Sequence, residues 1–334
     1  MDVKHKQPKT LQDAIAFYSN PNNALAYMVL LRWPDGVVTC PACGRNDVVF
    51  LHNQRKWQCK SVHAKRQFSA KIGTIFEDSP IALEKWIVAV WMLSNCRNGV
   101  SSYEIGRAIG VTQKSAWFMM HRIRLGLQDK QSGGKLGGNG SNTVEIDETY
   151  IGGKARNMHK AKRRRLSDGV GMQGGHGKTV VMGMLERDGK VRTAILGNRR
   201  EKKVMHQIIE DNVFPGTWVM TDEFVNYDGL AKNYTHQVVN HLEKYVDGNV
   251  HTQGIENFWS LLKRGLGGTY VAVEPFHLFR YVDEQAFRFN NRKDECGNKL
   301  NDADRFNIAM SQVIGKRLTF SELTGKTGEE QVPF

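Results

Sequence analysis

Two groups of residues in this sequence have types and spacings that can do chemistry. The first is a set of acids: Asp147 in VEIDETYIGG (Val144–Gly153), Asp222 in TWVMTDEFVNY (Thr217–Tyr227) and Glu256 in HTQGIENFWSLLKRGLGG (His251–Gly268). Asp147 falls mid-way along a strand-like stretch, where Glu145, Asp147 and Thr149 share one face and Ile146, Glu148 and Tyr150 the other. A lone carboxylate there is costly unless a basic side chain or a metal stands beside it. Taken alone, the stretch fits an acidic edge strand with a solvated face equally well. Asp222 closes an apolar strand-like run, at the end where central sheets collect ligands. Hard oxygen donors of this kind suit Mg2+ or Mn2+, which keep water and phosphate oxygens in their shells. Two such ions about 3.5–4 Å apart serve phosphodiester chemistry, activating the nucleophile and stabilising the leaving oxygen.

The second group is a set of thiols. Cys40 and Cys43 frame CPACG with Gly44 directly after, the tight knuckle that lets two thiolates hold one zinc. Cys59 follows after fifteen residues, an ordinary ribbon spacing for the next ligand pair. His63, three residues beyond in CKSVH, or else His52, would complete a Cys3His site. Four protein ligands leave no position for water, so such a zinc is structural. Cys96 and Cys296 read as ordinary reduced thiols; five cysteines without an export signal do not suggest a disulfide framework.

The elements that must position these residues follow from periodicity and caps. Leu11–Leu31 reads as one or two short helices interrupted at Asn20–Pro21, and DVVFLH and KWQCK as strands around the thiols. Ala82–Asn95 has helical spacing. Ser101–Gly110 and Val111–Leu127 read as a helix-turn-helix, opened by a Ser101/Glu104 capping box. Its second helix would offer Thr112, Gln113, Lys114 and Trp117 to a DNA groove. Gln128–Asn142, rich in Gly, Ser and Asn, is a linker. Lys154–Arg165 holds seven Lys/Arg, among them Lys162, Arg163, Arg164 and Arg165, and no acid: a basic loop that attracts phosphates without reading sequence. GGHGKT (Gly174–Thr179) is no phosphate loop, because Met172 stands where its first glycine is required and a strand follows. Thr179–Gly197 is a strand pair turning at Asp188–Gly189, Glu201–Val213 a helix, and Gln237–His241 a short strand. Around the third acid, Ile255, Phe258, Trp259 and Leu262 form a buried helical stripe. Glu256 and Lys263 border it two turns apart, and Thr252 stands where a cap would. FHLFRYVDEQAFRFNNR is a closing amphipathic helix, and the chain after Asn301 reads as a peripheral tail.

At 334 residues the chain has room for two or three domains. The excess of 47 Lys+Arg over 34 Asp+Glu, a net +13, makes a polyanion the expected partner. No apolar run is long enough to span a bilayer, so no membrane partner is expected; the location would be cytoplasmic, on the nucleoid when DNA is bound. Acids beside a polyanion repel it, and the basic surroundings make sense with them only if cations mediate.

CPACG, QFSAKIGTIFEDS, IDETYIGG, TDEF and above all HTQGIENFWSLLKRG with RYVDEQAFRFNNR resemble the DDE transposases of bacterial insertion sequences. The likeness is to the ISXO2-like group with an N-terminal zinc ribbon, and it covers about Pro21 to Arg292. The resemblance implies an α/β fold: an RNase-H-like catalytic domain, a mixed sheet flanked by helices, preceded by the ribbon and the helix-turn-helix. The divisions expected are a helical segment (1–35), zinc ribbon (36–79), helix-turn-helix (80–128), linker (129–142), catalytic domain (143–300) and tail (301–334). Asp147, Asp222 and Glu256 would be the triad holding Mg2+ or Mn2+, with Gln253 and Asn257 as alternatives for the third ligand. Lys263, with Arg264 beside it, would contact DNA phosphate; Glu148 and Glu223 would stand behind the triad or in solvent. Relatives often carry a second CxxC where this chain has Cys59 and His63, which leaves the fourth zinc ligand open. The implied function binds terminal inverted repeats, frees a 3′-OH by hydrolysis and joins it to target DNA, as a homodimer or larger assembly. Alternatives are a plain metal-dependent nuclease and a DNA-binding regulator with a dead site.

Overall fold

The computed structural model describes residues 8–128, 134–138, 142–153, 178–197, 201–239 and 251–325. They fall into two compact units: one comprises the described residues up to Gln128 with those from Asn291 onward, the other those between.

In the first unit, helices α1 (Leu11–Tyr18) and α2 (Pro21–Arg32) break where the sequence places the break. The Asn20 side chain accepts the Asn22 N–H, and Pro21 opens α2 where no N–H is needed. Strands β1 (Val48–Leu51), β2 (Lys56–Cys59) and β3 (Gln67–Phe68) form an antiparallel sheet carrying the thiols. Helix α3 (Leu83–Asn95) precedes the expected helix pair, α4 (Ser102–Ile109) and α5 (Gln113–Leu127). The Ser101/Glu104 capping box starts α4, and Gly110 at φ 63° ends it in the left-handed conformation that favours glycine.

The segment after Asn301 departs from the expectation of a peripheral tail. Asp302–Ser311 is a ten-residue helix whose Phe306, Ala309 and Met310 are buried. Phe306 packs on Trp91 of α3 at 4.8 Å and on Tyr27 of α2 at 5.7 Å between ring centroids. Apolar residues at i, i+3 and i+4 make a stripe that needs a partner, and the N-terminal helices supply it.

The second unit is a mixed five-stranded sheet flanked by helices, in the RNase-H-like arrangement. Its strands are β4 (Thr143–Ile151), β5 (Thr179–Glu186), β6 (Val191–Gly197), β7 (Trp218–Thr221) and β8 (Thr235–Val238), in the order β6-β5-β4-β7-β8. β4, β5 and β6 pair antiparallel, through a hairpin turning at Asp188 and Gly189, whereas β7 lies parallel to β4 and β8 parallel to β7. β4 is therefore the central strand, which removes the edge-strand reading of Asp147. Helix α6 (Lys202–Asn212) covers one face, its Met205 and Ile209 packing with Val144, Ile146, Met182 and Met184. Helices α7 (Gln253–Gly265) and α8 (Leu278–Asn290) cover the other, where Ile255, Phe258, Trp259 and Leu262 meet Val181, Leu185, Val282 and Phe289. Asn290 fixes the end of α8 to β6 by bonding both the N–H and the carbonyl of Val191, at 2.8 and 2.9 Å. Among the described residues no helix is long and apolar enough to cross a membrane.

Candidate active site and zinc cluster

β4 and the end of β7 lie side by side, and this adjacency brings Asp147 to Asp222. The carboxylates of Asp147, Glu148 and Asp222 each offer an oxygen within 4.8 Å of the others. Glu148 starts from the opposite face of the strand, and its longer side chain reaches the same place. Each aspartate is held by local bonds. Asp147 accepts the Glu148 N–H at 2.8 Å and the Trp259 indole N–H at 3.0 Å; Asp222 accepts the Phe224 N–H at 3.1 Å just past β7. Behind Asp222, the Thr221 hydroxyl donates to the Asp222 carbonyl and lies 2.8 Å from His236 Nε2.

Burial pushes the Asp147 carboxyl up to about 6, and the charges of Asp222 and Glu256 add to the rise while its two hydrogen bonds oppose it. The buried Tyr227 phenol is likewise pushed well up, first by burial and then by Glu148. A cation beside Asp147 would relieve the burial and the neighbouring negative charge that raise it, and three hard oxygen donors fit Mg2+ or Mn2+.

Glu256 stands apart from the tight cluster. It is exposed on α7, with the Thr252 hydroxyl 3.4 Å from its Oε1, and its charge is felt at Asp147. Asp147, Glu148, Thr149, Glu256, Trp259, Ser260 and Lys263 together line an open depression of about 420 Å³. Residues 256, 259, 260 and 263 are spaced i, i+3, i+4 and i+7, so one side of α7 forms its wall. Lys263 thus shares the depression with the acids, and Arg264 is exposed beside that lining. Thr252 does not cap α7 with its side chain as the sequence suggested. Gln253 and Asn257, the alternatives for the third ligand, are exposed and lie outside the lining. Glu223 is exposed, in keeping with a solvated acid. Sequence reasoning undervalued Glu148, because strand alternation sends it away from Asp147; the DE pair itself was the available signal.

In the first unit, Cys40, Cys43, Cys59 and His63 converge, each with one donor atom within 4.8 Å of the rest. Cys43 and Cys59 Sγ are 3.6 Å apart, and Cys40 Sγ lies 3.5 Å from His63 Nε2. A tetrahedral zinc with ordinary bond lengths demands edges of about 3.6–3.8 Å, so the cluster has the size of a zinc site. His63 Nδ1 bonds the Ala64 carbonyl at 2.7 Å, which leaves Nε2 to face the thiols. His63 also draws the Cys59 thiol down to about 6, toward the thiolate that zinc takes. His52 instead packs its ring edge-on against Phe50.

The helix pair leaves little of α5 exposed. Met119, Met120, His121, Arg122, Ile123 and Arg124 are all buried, and Arg122 lies over the rings of Trp86 and Phe118. The fully exposed position of the helix, Lys114, lies at its start. Thr112 caps the helix, Gln113 Nε2 bonds the Ser102 hydroxyl at 2.9 Å, and exposed Lys114 lies over the Phe320 ring. Trp117 is half-buried, 4.4 Å from the His121 ring centre. Lys162, Arg163, Arg164 and Arg165 fall outside the described residues.

A ribbon of four zinc-type ligands and an RNase-H-like sheet with clustered acids define the architecture of a zinc-ribbon DDE transposase. Comparison with known proteins agrees. Residues 135–290 match the ISXO2-like transposase domain and residues 19–64 the transposase zinc-ribbon domain. The chain belongs to the transposases that join these two domains. A protein in transposable element ISH50 of Halobacterium salinarum is 28% identical over 264 residues, covering 75% of this chain and 85% of the relative. The chain also aligns with part of a simian T-cell lymphotropic virus intasome bound to PP2A regulatory subunit B56 gamma. That match has 12% identity and a TM-score of 0.28 over 66% of this chain and 72% of the other, too slight a likeness to argue from.

Proposed function

We propose that this chain is an active transposase that binds the terminal inverted repeats of its element and catalyses strand cleavage and strand transfer. The observation that carries this reading is the convergence of Asp147, Glu148 and Asp222, with Glu256 and Lys263 on the wall of the same depression. Asp147, Glu148 and Asp222 would hold divalent cations, with Glu256 completing the set from α7. Cations bound there supply Lewis-acid activation of the attacking oxygen and stabilisation of the leaving one.

The chain's own groups do the rest. Trp259 fixes one oxygen of Asp147, leaving the other toward Glu148, and the Phe224 N–H orients Asp222. Lys263 offers its ammonium to the phosphate beside the scissile bond. Water replaces the 3′ oxygen at the phosphorus of an element end, releasing a 3′-OH; that hydroxyl then attacks a target phosphodiester and expels its 3′ oxygen. No covalent enzyme intermediate is needed. In the other unit, Cys40, Cys43, Cys59 and His63 would hold a structural zinc, and Thr112, Gln113 and Lys114 would approach DNA from the start of α5. Lys162, Arg163, Arg164 and Arg165 would add phosphate contacts. Two ends must be paired, so the working form is a homodimer or larger assembly in the cytoplasm.

The test is cleavage and joining of labelled terminal-repeat DNA in Mg2+, comparing wild type with Asp222→Ala and Glu256→Ala. Loss of both steps with DNA binding retained supports the assignment. Cleavage without joining makes the protein a nuclease, and binding without chemistry in the wild type makes it a regulator.

A further inference from the structure

β4 carries another acid, which the proposed reaction does not use. Glu145 lies two residues before Asp147 on the same face of the strand and is fully buried. Its Oε1 takes the Arg187 Nε at 2.8 Å and lies 3.3 Å from His251 Nδ1. Its Oε2 accepts the Ile255 N–H at 3.0 Å. Ile255 is the third residue of α7, so this N–H is one of those a helix start leaves without an internal partner. Thr252 provides no side-chain cap, and the helix takes its cap from the sheet instead.

The same group reaches further back along the chain. Arg187 also donates to the His251 carbonyl at 2.8 Å, so one guanidinium ties Glu145 to the segment that enters the helix. Gly254 permits the close approach: a Cβ there would stand 2.8 Å from Glu145 Oε2 and 2.7 Å from Leu185 Cδ2. The residue after the clamped Ile255 is Glu256.

We propose that Glu145 is a positioning residue, which fixes the start of α7 against the strand bearing Asp147 and thereby sets where Glu256 stands relative to the carboxylate cluster. The proposal rests on the reading of that cluster as a cation site. A buried ion pair adds little stability over an apolar replacement, and what it can supply is a defined geometry. Here the geometry is the register between the strand that carries one acid and the helix that carries another.

The test uses the full chain and Mn2+ binding followed by paramagnetic resonance, well below the melting temperature of each variant. Glu145→Gln keeps the shape and an acceptor for the Ile255 N–H but loses the charge that holds Arg187; Glu145→Ala loses both. Glu145→Ala is expected to weaken Mn2+ binding about tenfold or more, with Glu145→Gln intermediate, as outer-sphere substitutions at metal sites do. Neither changes the zinc content. In a Glu256→Ala background, Glu145→Gln adds nothing further, because its effect passes through Glu256. Full Mn2+ affinity in folded Glu145→Gln and Glu145→Ala overturns the proposal, as does an undiminished effect in the Glu256→Ala background. If Asp147→Ala also leaves Mn2+ binding unchanged, the cation-site reading itself fails, and the role of Glu145 fails with it.

Discussion

Gly183 stands directly opposite Asp147 in the β4–β5 ladder, and its missing side chain is what admits the indole that holds Asp147 in place. A Cβ at Gly183 would lie 2.6 Å from Trp259 Cζ2 and 2.7 Å from Ile255 Cδ1. A glycine inside a strand weakens it, and here it provides the close seating of the helix that lines the site.

Gly183→Ala is therefore expected to push α7 away from the sheet. The cost is about 1–3 kcal/mol of stability, the usual range for overpacking, together with loss of strand transfer. Trp259→Phe removes the bond to Asp147 without the clash and should cost about 1 kcal/mol. Urea denaturation of the two variants separates the effects.

Asp147 links stability to pH. Its folded-state value rises from 3.8 to about 6, so the folded protein holds this proton more tightly than the unfolded chain. The associated stability is complete below about pH 4 and is lost as pH rises through 6. Without divalent cations, Asp147→Asn should exceed wild type by about 3 kcal/mol well above pH 6 and come close to it near pH 4. Added Mg2+ should stabilise only the wild type. Thermal denaturation across pH 4 to 8, with and without Mg2+, checks both statements.

Glu148→Gln should weaken Mn2+ binding, since its carboxylate stands with those of Asp147 and Asp222. A loss of about tenfold is expected for a ligand or its immediate neighbour. Unchanged affinity in a Mn2+ titration would return Glu148 to a purely structural role beside Tyr227.

One zinc per chain is expected by elemental analysis. Cys59→Ser and His63→Ala should each lose it, and His52→Ala should keep it, because His52 packs on Phe50 while His63 faces the thiols. The depressed Cys59 thiol favours the thiolate that zinc takes at neutral pH.

Lys263→Ala should weaken binding to DNA of any sequence and lower the slope of log affinity against log salt by about one, as for one lost phosphate contact. Salt titrations on specific and unrelated DNA test this. A loss confined to terminal-repeat DNA would mean that Lys263 reads bases.

Much of the fold was legible because secondary structure is decided within a few residues. Asn20–Pro21 announced the break between α1 and α2, Ser101 and Glu104 the start of α4, and Asp188–Gly189 the hairpin. The CxxC knuckle and the acids of IDETY and TDEF were equally visible, since a short motif carries its own spacing.

What the sequence determined alone was therefore the set of elements, the zinc-type thiols, the candidate acids and the basic character that points to nucleic acid. Only the tertiary structure decided which acids meet. The order β6-β5-β4-β7-β8 makes β4 central and lays Asp222 beside Asp147 across 75 residues of chain, while Glu256 stays at the rim. It also buried Glu145 under α7 and took Phe306 into the first unit's core. Each outcome depends on strand order or on the partner a helix face finds, and neither is encoded in the spacing of nearby residues. A single carboxylate looks the same in sequence whether it grips a helix or awaits a cation, and its environment alone tells the two apart.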